Sequence, residues 1–216
     1  MTELSLHEQL KDNYSDGGGV EETVDGYRID VVHRGLLIEI QTANFSSIKP
    51  KLRDLLQEHR VRLVHPIPYM KWIIKLDQDG KRVSRRRSPK RGKVEEVFYE
   101  LVYIAEIPTD PNFELEVAMV NAEEFWMDDG EGSWRRNNWS IHDRRLLNIR
   151  ERHLFTSPSD YLRLLPKNLS NRFTTRQLLD KADISTKLAR KMIYCLRKMG
   201  GLGIHGKNGR ANIYEI

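Results

Sequence analysis

The stretch that decides the fold is "GYRIDVVHRGLLIEIQTANF", residues 26–45. It contains two strand-like runs, YRIDVV and LLIEIQ, joined by the tight HRG turn, which predicts a β-hairpin. Asp30 interrupts the first apolar run, and Glu39 and Gln41 interrupt the second. A strand needs no acid at these positions to fold, and burying one without a partner is costly. These three residues are therefore the first candidates for function.

Alternation along a strand places Glu39 and Gln41 on one face, with Ile40 pointing the other way. Asp30 precedes Glu39 by nine positions, across the turn and on the neighbouring strand. The two carboxylates could therefore converge at one edge of the sheet and bind Mg²⁺ through oxygen. The alternative is an amphipathic hairpin that shows a polar face to water.

The first 76 residues alternate between helical and extended patterns. A helix is predicted over 2–14 and a second over 46–59, where Ser46 or Ser47 could cap it and Pro50 falls in the tolerant first turn. Strands are predicted over 20–24, 27–32, 36–41, 61–67 and 70–76. The order favours an α/β or α+β fold with a mixed sheet.

The middle of the chain is less regular. The basic run 81–93 contains no acid and is predicted to be a solvated loop or a flexible arm on a phosphate backbone. We predict a helix over 94–107, a half-buried strand over 113–121, an irregular loop over 128–143 and a helix over 143–155.

The C-terminal segment has the layout of a winged helix-turn-helix: a helix after Phe173, a tight turn, a second helix, and a hairpin at Asn208-Gly209, a pair that favours a type I′ turn. From Asp160 onward it carries twelve Lys or Arg against four Asp or Glu. A recognition helix needs cations along its outer face. The candidate DNA-binding residues are Lys187, Arg190, Lys191, Tyr194, Lys207 and Arg210. The alternative is a basic protein–protein module.

Gly26-x-x-x-Asp30, a turn, Glu39-x-Gln41 and a following helix together resemble the core of the PD-(D/E)XK nuclease superfamily. The resemblance covers residues 1–76 and implies a restriction-endonuclease-like core. It also implies that Asp30 and Glu39 bind Mg²⁺ or Mn²⁺ and that Gln41 holds the third catalytic position, which is usually Lys. A further acid often comes from the first helix or the strand after it, and Glu8 and Glu21 are the candidates.

The whole chain has 216 residues, a net charge of +5 and a pI of about 9.3, which favours an anionic partner. Cys195 is the only cysteine, so an intrachain disulfide and a cysteine-rich zinc site are excluded. We expect a cytoplasmic protein without a membrane partner, with a nuclease-like domain over 1–155 and a winged helix over 156–216. The chain is predicted to be a Mg²⁺-dependent DNA endonuclease, and a homodimer is possible. A non-catalytic DNA-binding regulator and a protein–protein adaptor are the alternatives.

Overall fold

The computed structural model describes residues 5–216 of an α+β protein, whose largest element is a seven-stranded mixed sheet. The strands of this sheet are β1 (Gly19–Val24), β2 (Tyr27–His33), β3 (Leu36–Ile40), β4 (Arg60–Leu76), β5 (Arg82–Arg87), β6 (Phe113–Met127) and β7 (Ser140–Phe155). The strand order is β1-β2-β3-β4-β6-β7, and β5 pairs with the C-terminal part of β4. β4 is parallel to both β3 and β6, and the other pairs are antiparallel.

Helices cover both faces of this sheet. Leu10 of the first helix lies in an apolar cluster with Val64, whereas Leu52 of the second lies in a different cluster with Leu63. Because successive residues of a strand point to opposite faces, the first and second helices lie on opposite sides of the sheet. The helices are α1 (Ser5–Ser15), α2 (Phe45–Leu55), α3 (Phe98–Leu101), α4 (Pro158–Leu162), α5 (Thr175–Lys181) and α6 (Thr186–Lys198).

The helix–strand–strand–strand–helix–strand order predicted for the first part of the chain is confirmed. The first predicted helix includes residues 2–4, which lie outside the described range. The predicted cap of α2 is wrong, because Asn44 occupies the N-cap position. The Ser46 hydroxyl donates to the side chain of Asn44, and the Ser47 hydroxyl donates to its backbone carbonyl.

Two predicted strands, 61–67 and 70–76, are one continuous strand, β4. Pro66 and Pro68 lie within β4, although proline cannot donate to a sheet ladder. They are tolerated because β3 pairs only with the first part of β4 and β5 only with the last part. Between these partners, one edge of β4 has no neighbouring strand in the described part of the chain, and a register shift next to Pro68 absorbs the irregularity.

The basic run is also partly a strand. Residues 82–87 form β5, which pairs with 72–76 of β4, so the prediction of a loop is wrong for these positions. The helix predicted over 94–107 is three short pieces: a 3₁₀ turn (Val94–Val97), α3 and a second 3₁₀ turn (Ile107–Thr109).

The helix predicted over 143–155 is wrong, because Ser140–Phe155 is strand β7. Leu146 and Ile149 are three residues apart, a helical spacing, yet both pack against the apolar cluster under α1. Register shifts between β6 and β7 account for this: Leu146 lies opposite Ala122 and Ile149 opposite Val120. The shifts break the period of two by which a strand is recognised.

The C-terminal unit is a three-stranded antiparallel sheet with two helices. Thr174 and Gln177 cap α5 reciprocally, and Ser185 caps α6. The predicted type I′ turn is wrong, because Asn208 still pairs with Ala211 and only Gly209 has positive φ in the turn. The strands, in the order β8-β10-β9, are β8 (Arg172–Thr174), β9 (Gly203–Asn208) and β10 (Ala211–Glu215).

The core of the C-terminal unit continues into the core on the α2 side of the large sheet. Phe98 of α3 and Met192 of α6 belong to the same buried cluster, and the ring of Tyr161 stacks on that of Phe155. Cys195 is buried in this cluster. Within residues 5–216, no helix has the length and apolar character needed to cross a membrane.

Candidate functional site

The regular pairing of β2 with β3 ends at the position of the predicted site. Regular pairing runs from His33 opposite Leu36 to Val31 opposite Ile38. At the next step the Oδ2 atom of Asp30, rather than a backbone carbonyl, accepts the N–H of Ile40 at 2.8 Å. Asp30 and Glu39 therefore flank the same break in the sheet.

Helix α1 supplies two basic side chains next to Asp30. His7 Nε2 lies 3.2 Å from Asp30 Oδ2, and Lys11 Nζ lies 3.8 Å from Oδ1. Burial alone would raise the pKa of Asp30. The hydrogen bonds and the nearby positive charge outweigh burial, so this pKa lies below its ordinary value and the carboxylate is ionised at neutral pH.

Helix α2 supplies the partner of Glu39 from the other face. Lys51 Nζ donates to Glu39 Oε1 at 2.6 Å, and only about 5% of Glu39 is exposed. Burial raises the pKa of Glu39, the hydrogen bond from Lys51 lowers it, and the charge of Asp30 raises it again, with a net rise. The charge of Asp30 thus opposes ionisation of Glu39, although the lysine partners of the two carboxylates come from opposite faces of the sheet.

Gln41 is tied to the turn that leads into α2. The side-chain amide of Gln41 donates to the carbonyl of Ala43 at 2.6 Å, and the backbone carbonyl of Gln41 accepts from His65 Nδ1 at 2.7 Å. Burial lowers the pKa of His65, which is therefore neutral at pH 7. The Gln41 side chain therefore donates within the turn, to the carbonyls of Ala43 and Asn44, and forms no hydrogen bond with Asp30 or Glu39.

The two further acids predicted from the sequence both reach Lys11. Its ammonium lies 2.8 Å from Glu21 Oε1 and 3.6 Å from Glu8 Oε1. Lys11 is about 3% exposed, and although burial would lower its pKa, the hydrogen bond to Glu21 and the charges of the acids raise it. Glu8 and Glu21 therefore surround a buried lysine beside Asp30.

Within residues 5–216, no three His, Cys, Asp or Glu side chains are close enough together to hold a metal ion by themselves. A backbone oxygen completes one set of donors. His7 Nε2 lies 2.9 Å from the carbonyl oxygen of Ile40 as well as 3.2 Å from Asp30 Oδ2. One nitrogen and two oxygens thus meet beside Glu39.

Sequence reasoning missed His7, Lys11 and Lys51. His7 and Lys11 are four residues apart, and Tyr14 follows three residues later, so all three lie on one face of α1. This row of polar side chains on the buried face of α1 could have indicated that the helix contributes to the site. Lys51 precedes the buried Leu52 and carried no comparable pattern.

The candidate DNA-binding residues divide into two groups. One group is exposed and consists of Lys187, Arg190, Tyr194, Lys207 and Arg210. Lys191 differs, because its ammonium donates to the carbonyl of Tyr99 at 3.1 Å and lies 5.0 Å from the centre of the Tyr103 ring. Lys191 therefore joins α6 to the segment around α3.

Comparison with known proteins identifies a family but no activity. A family model described as a domain of unknown function, DUF8091, matches residues 4–156. The chain belongs to the DUF8091 family. An uncharacterized protein of Treponema pallidum (strain Nichols) is 29% identical over 216 residues, covering 99% of this chain and 85% of that relative. No solved structure matches this DUF8091 protein.

Proposed function

We propose that this DUF8091 protein is a divalent-metal-dependent DNA endonuclease with a restriction-endonuclease-like core. The observation that carries the proposal is the order α1-β1-β2-β3-α2-β4, in which Asp30 of β2 and Glu39 of β3 flank one break in the sheet. This order, with the two acids on adjacent strands, resembles the core of the PD-(D/E)XK superfamily.

The donor atoms at the break suit Mg²⁺ or Mn²⁺. Ligands of a six-coordinate ion with bonds of about 2.1 Å lie about 3 Å from one another. His7 Nε2 lies at such distances from Asp30 Oδ2 and from the Ile40 carbonyl. Asp30, His7 and the Ile40 carbonyl would hold the ion, and Glu39, which is paired with Lys51 from the opposite face, would have to turn toward it to become a further ligand.

A bound divalent ion would lower the pKa of a water molecule and supply hydroxide for attack on phosphorus. The chain contributes the charges around that reaction. Gln41 stands where the superfamily usually has Lys and cannot provide a cation. Lys51, whose ammonium contacts Glu39, is the proposed source of the missing positive charge beside the phosphate.

The C-terminal unit is proposed to be a winged helix that binds DNA. Its elements follow the order helix, tight turn, helix and two-stranded hairpin. Lys187, Arg190 and Tyr194 are exposed on α6, and Lys207 and Arg210 lie beside the hairpin turn. These positions would allow α6 to enter a groove while the hairpin contacts the neighbouring backbone.

Cleavage of plasmid DNA tests the proposal. The wild-type protein and an Asp30→Asn, Glu39→Gln double variant are incubated with supercoiled plasmid and Mg²⁺ or Mn²⁺. A second variant, Asp79→Asn with Glu131→Gln, makes the same chemical changes at exposed positions in loops. We expect nicked or linear DNA with the wild type and the control, and a loss of at least a hundredfold in the double variant. Equal cleavage by all three proteins would point to a contaminant and contradict the proposal.

A non-catalytic DNA-binding regulator is the second candidate, and one observation favours it. Each carboxylate has a lysine within ion-pair distance, Lys11 for Asp30 and Lys51 for Glu39, and Gln41 replaces the usual lysine. Salt-sensitive DNA binding without cleavage in either metal would support this candidate. Absence of binding even at low salt would exclude both and leave the protein–protein adaptor.

A further inference from the structure

Strand β5 displays arginines that the rest of the described chain does not neutralise. All six residues of Arg82–Arg87 are exposed. Arg85 forms an ion pair with Glu123 and lies over the ring of Trp72. Within residues 5–216, no ion pair and no side-chain hydrogen bond is formed by Arg82, Arg86 or Arg87. Three guanidinium groups on one short strand are therefore available to an anionic partner.

These arginines share one edge of β4 with the candidate metal site. β3 pairs with this edge where Ile40 lies opposite Val64, and β5 pairs with it where Arg87 lies opposite Trp72 and Arg82 opposite Leu76. At about 3.3 Å per strand residue, the separation from the break in the sheet is about 26 Å for Arg87 and about 40 Å for Arg82.

The interval between β3 and β5 contains an open cavity of about 300 Å³. Its lining includes Thr42 and Ala43, which follow β3, and Ser88 and Lys90, which follow β5. Lys90 forms an ion pair with Glu96. The lining also contains Glu124, which is paired with Lys71 and Arg144. The segment after β5 follows this edge of β4, where the N–H groups of Ser88 and Gly92 donate to the carbonyls of Lys71 and Pro68, and no helix or strand of the described chain lies between β3 and β5 there.

We infer that the backbone of a DNA duplex lies along this edge and that β5 binds its phosphates about 8 to 12 base pairs from the bond to be cut. A duplex rises about 3.4 Å per base pair, nearly the rise of a β-strand, so one strand residue corresponds to about one base pair. The inference rests on the proposed function for the position of that bond. A continuous polyanion fits better than an apolar partner, because Val83 is the one apolar residue of β5.

A triple variant, Arg82→Ala, Arg86→Ala and Arg87→Ala, removes the three guanidinium groups. The matched control replaces Arg53, Arg163 and Arg176 by Ala, which removes the same charge from exposed arginines that each have an acidic partner. Binding to labelled duplexes of 12 and 30 base pairs is measured by fluorescence anisotropy over a series of salt concentrations, without any requirement for cleavage.

For the 30-base-pair duplex we compare the slopes of log K against the logarithm of the salt concentration. We expect the magnitude of this slope to be smaller than that of the wild type by about three for the β5 variant and by less than one for the control. Hydroxyl-radical footprints of the variant should lose about four or five protected base pairs at one end only. If the wild type binds DNA and the variant gives the same salt dependence and footprint, this inference is wrong while the proposed function stands. If the wild type binds no DNA, both fail. If the wild type binds polyglutamate more tightly than DNA and the β5 variant loses that binding, DNA is the wrong partner for β5.

Discussion

The carboxylate of Asp30 replaces a backbone carbonyl as the acceptor for the N–H of Ile40, at 2.8 Å. Ile40 is about 2% exposed, so its amide has little access to water at this point. A buried N–H without an acceptor is costly, and Asp30 therefore stabilises the break between β2 and β3 whether or not it binds a metal. The same carboxylate also lies beside the buried ammonium of Lys11.

Replacing Asp30 by Ala should lower the free energy of unfolding by about 2–3 kcal/mol, because the Ile40 amide loses its acceptor and Lys11 loses one of its acidic partners. Asp30→Asn keeps an acceptor oxygen and should lose only about 1 kcal/mol. Urea unfolding monitored by circular dichroism measures both values, with the exposed Asp79→Ala variant as the control. An Asp30→Ala midpoint equal to that of the wild type would show that the hydrogen bond contributes nothing to stability.

The opposite pKa directions of Glu39 and Asp30 predict opposite pH dependences. The pKa of Glu39 is raised in the folded state, so its contribution is complete below the unfolded value of about 4.3 and is lost as the pH rises through the folded pKa. Glutamine does not titrate. We therefore expect Glu39→Gln to gain stability relative to the wild type between pH 4 and pH 7.

Asp30 provides the internal comparison, because its pKa is lowered in the folded state. Its contribution is present above the unfolded value of about 3.9 and is lost as the pH falls through the folded pKa. The stability deficit of Asp30→Asn should therefore shrink below pH 4. Urea unfolding at half-unit steps from pH 3 to pH 7 measures both series. Slopes of the same sign for the two variants would contradict the opposite pKa directions.

Local patterns predicted the hairpin and its acids because the evidence for them lies within twenty residues. Asp30 and Glu39 interrupt apolar runs, and a tight turn brings their strands together. The partners of these acids could not be read in the same way. His7 and Lys51 reach the break from helices on opposite faces, and that arrangement depends on the packing of the whole sheet.

Strand β7 was mispredicted for a related reason. Its pairing with β6 contains a register shift between Asn121 and Ala122, which places Leu146 and Ile149 on one face at a helical spacing. Arg-rich β5 was mispredicted because it has no buried residue, and its strand conformation comes from pairing with β4. In both cases the partner strand, rather than the local sequence, determines the backbone.

Cys195 should be inert in the folded protein. It is fully buried on α6, and burial raises its pKa to about 12, so the thiol is protonated at pH 8. We expect Ellman's reagent to react with it only through unfolding, with a rate at least a hundredfold slower than in 6 M guanidinium chloride. A reaction in native buffer as fast as in denaturant would contradict the buried position of this thiol.

The division among the cations of α6 gives the sharpest test of how this helix is used. Lys187 and Arg190 are exposed, whereas Lys191 contacts Tyr99 and Tyr103 near α3. If α6 binds DNA as proposed, a Lys187→Ala, Arg190→Ala variant should reduce the logarithmic salt dependence of binding by about two. Its free energy of unfolding should stay within about 0.5 kcal/mol of the wild type.

Lys191→Ala should show the reverse pattern. Loss of the hydrogen bond to the Tyr99 carbonyl and of the contact with the Tyr103 ring should lower the free energy of unfolding by about 1 kcal/mol. Because this ammonium already has partners within the protein, the salt dependence of DNA binding should change by less than one half. Anisotropy titrations and urea unfolding of the two variants give the comparison. A larger effect on DNA binding from Lys191→Ala than from the double variant would mean that the helix presents its other face to DNA.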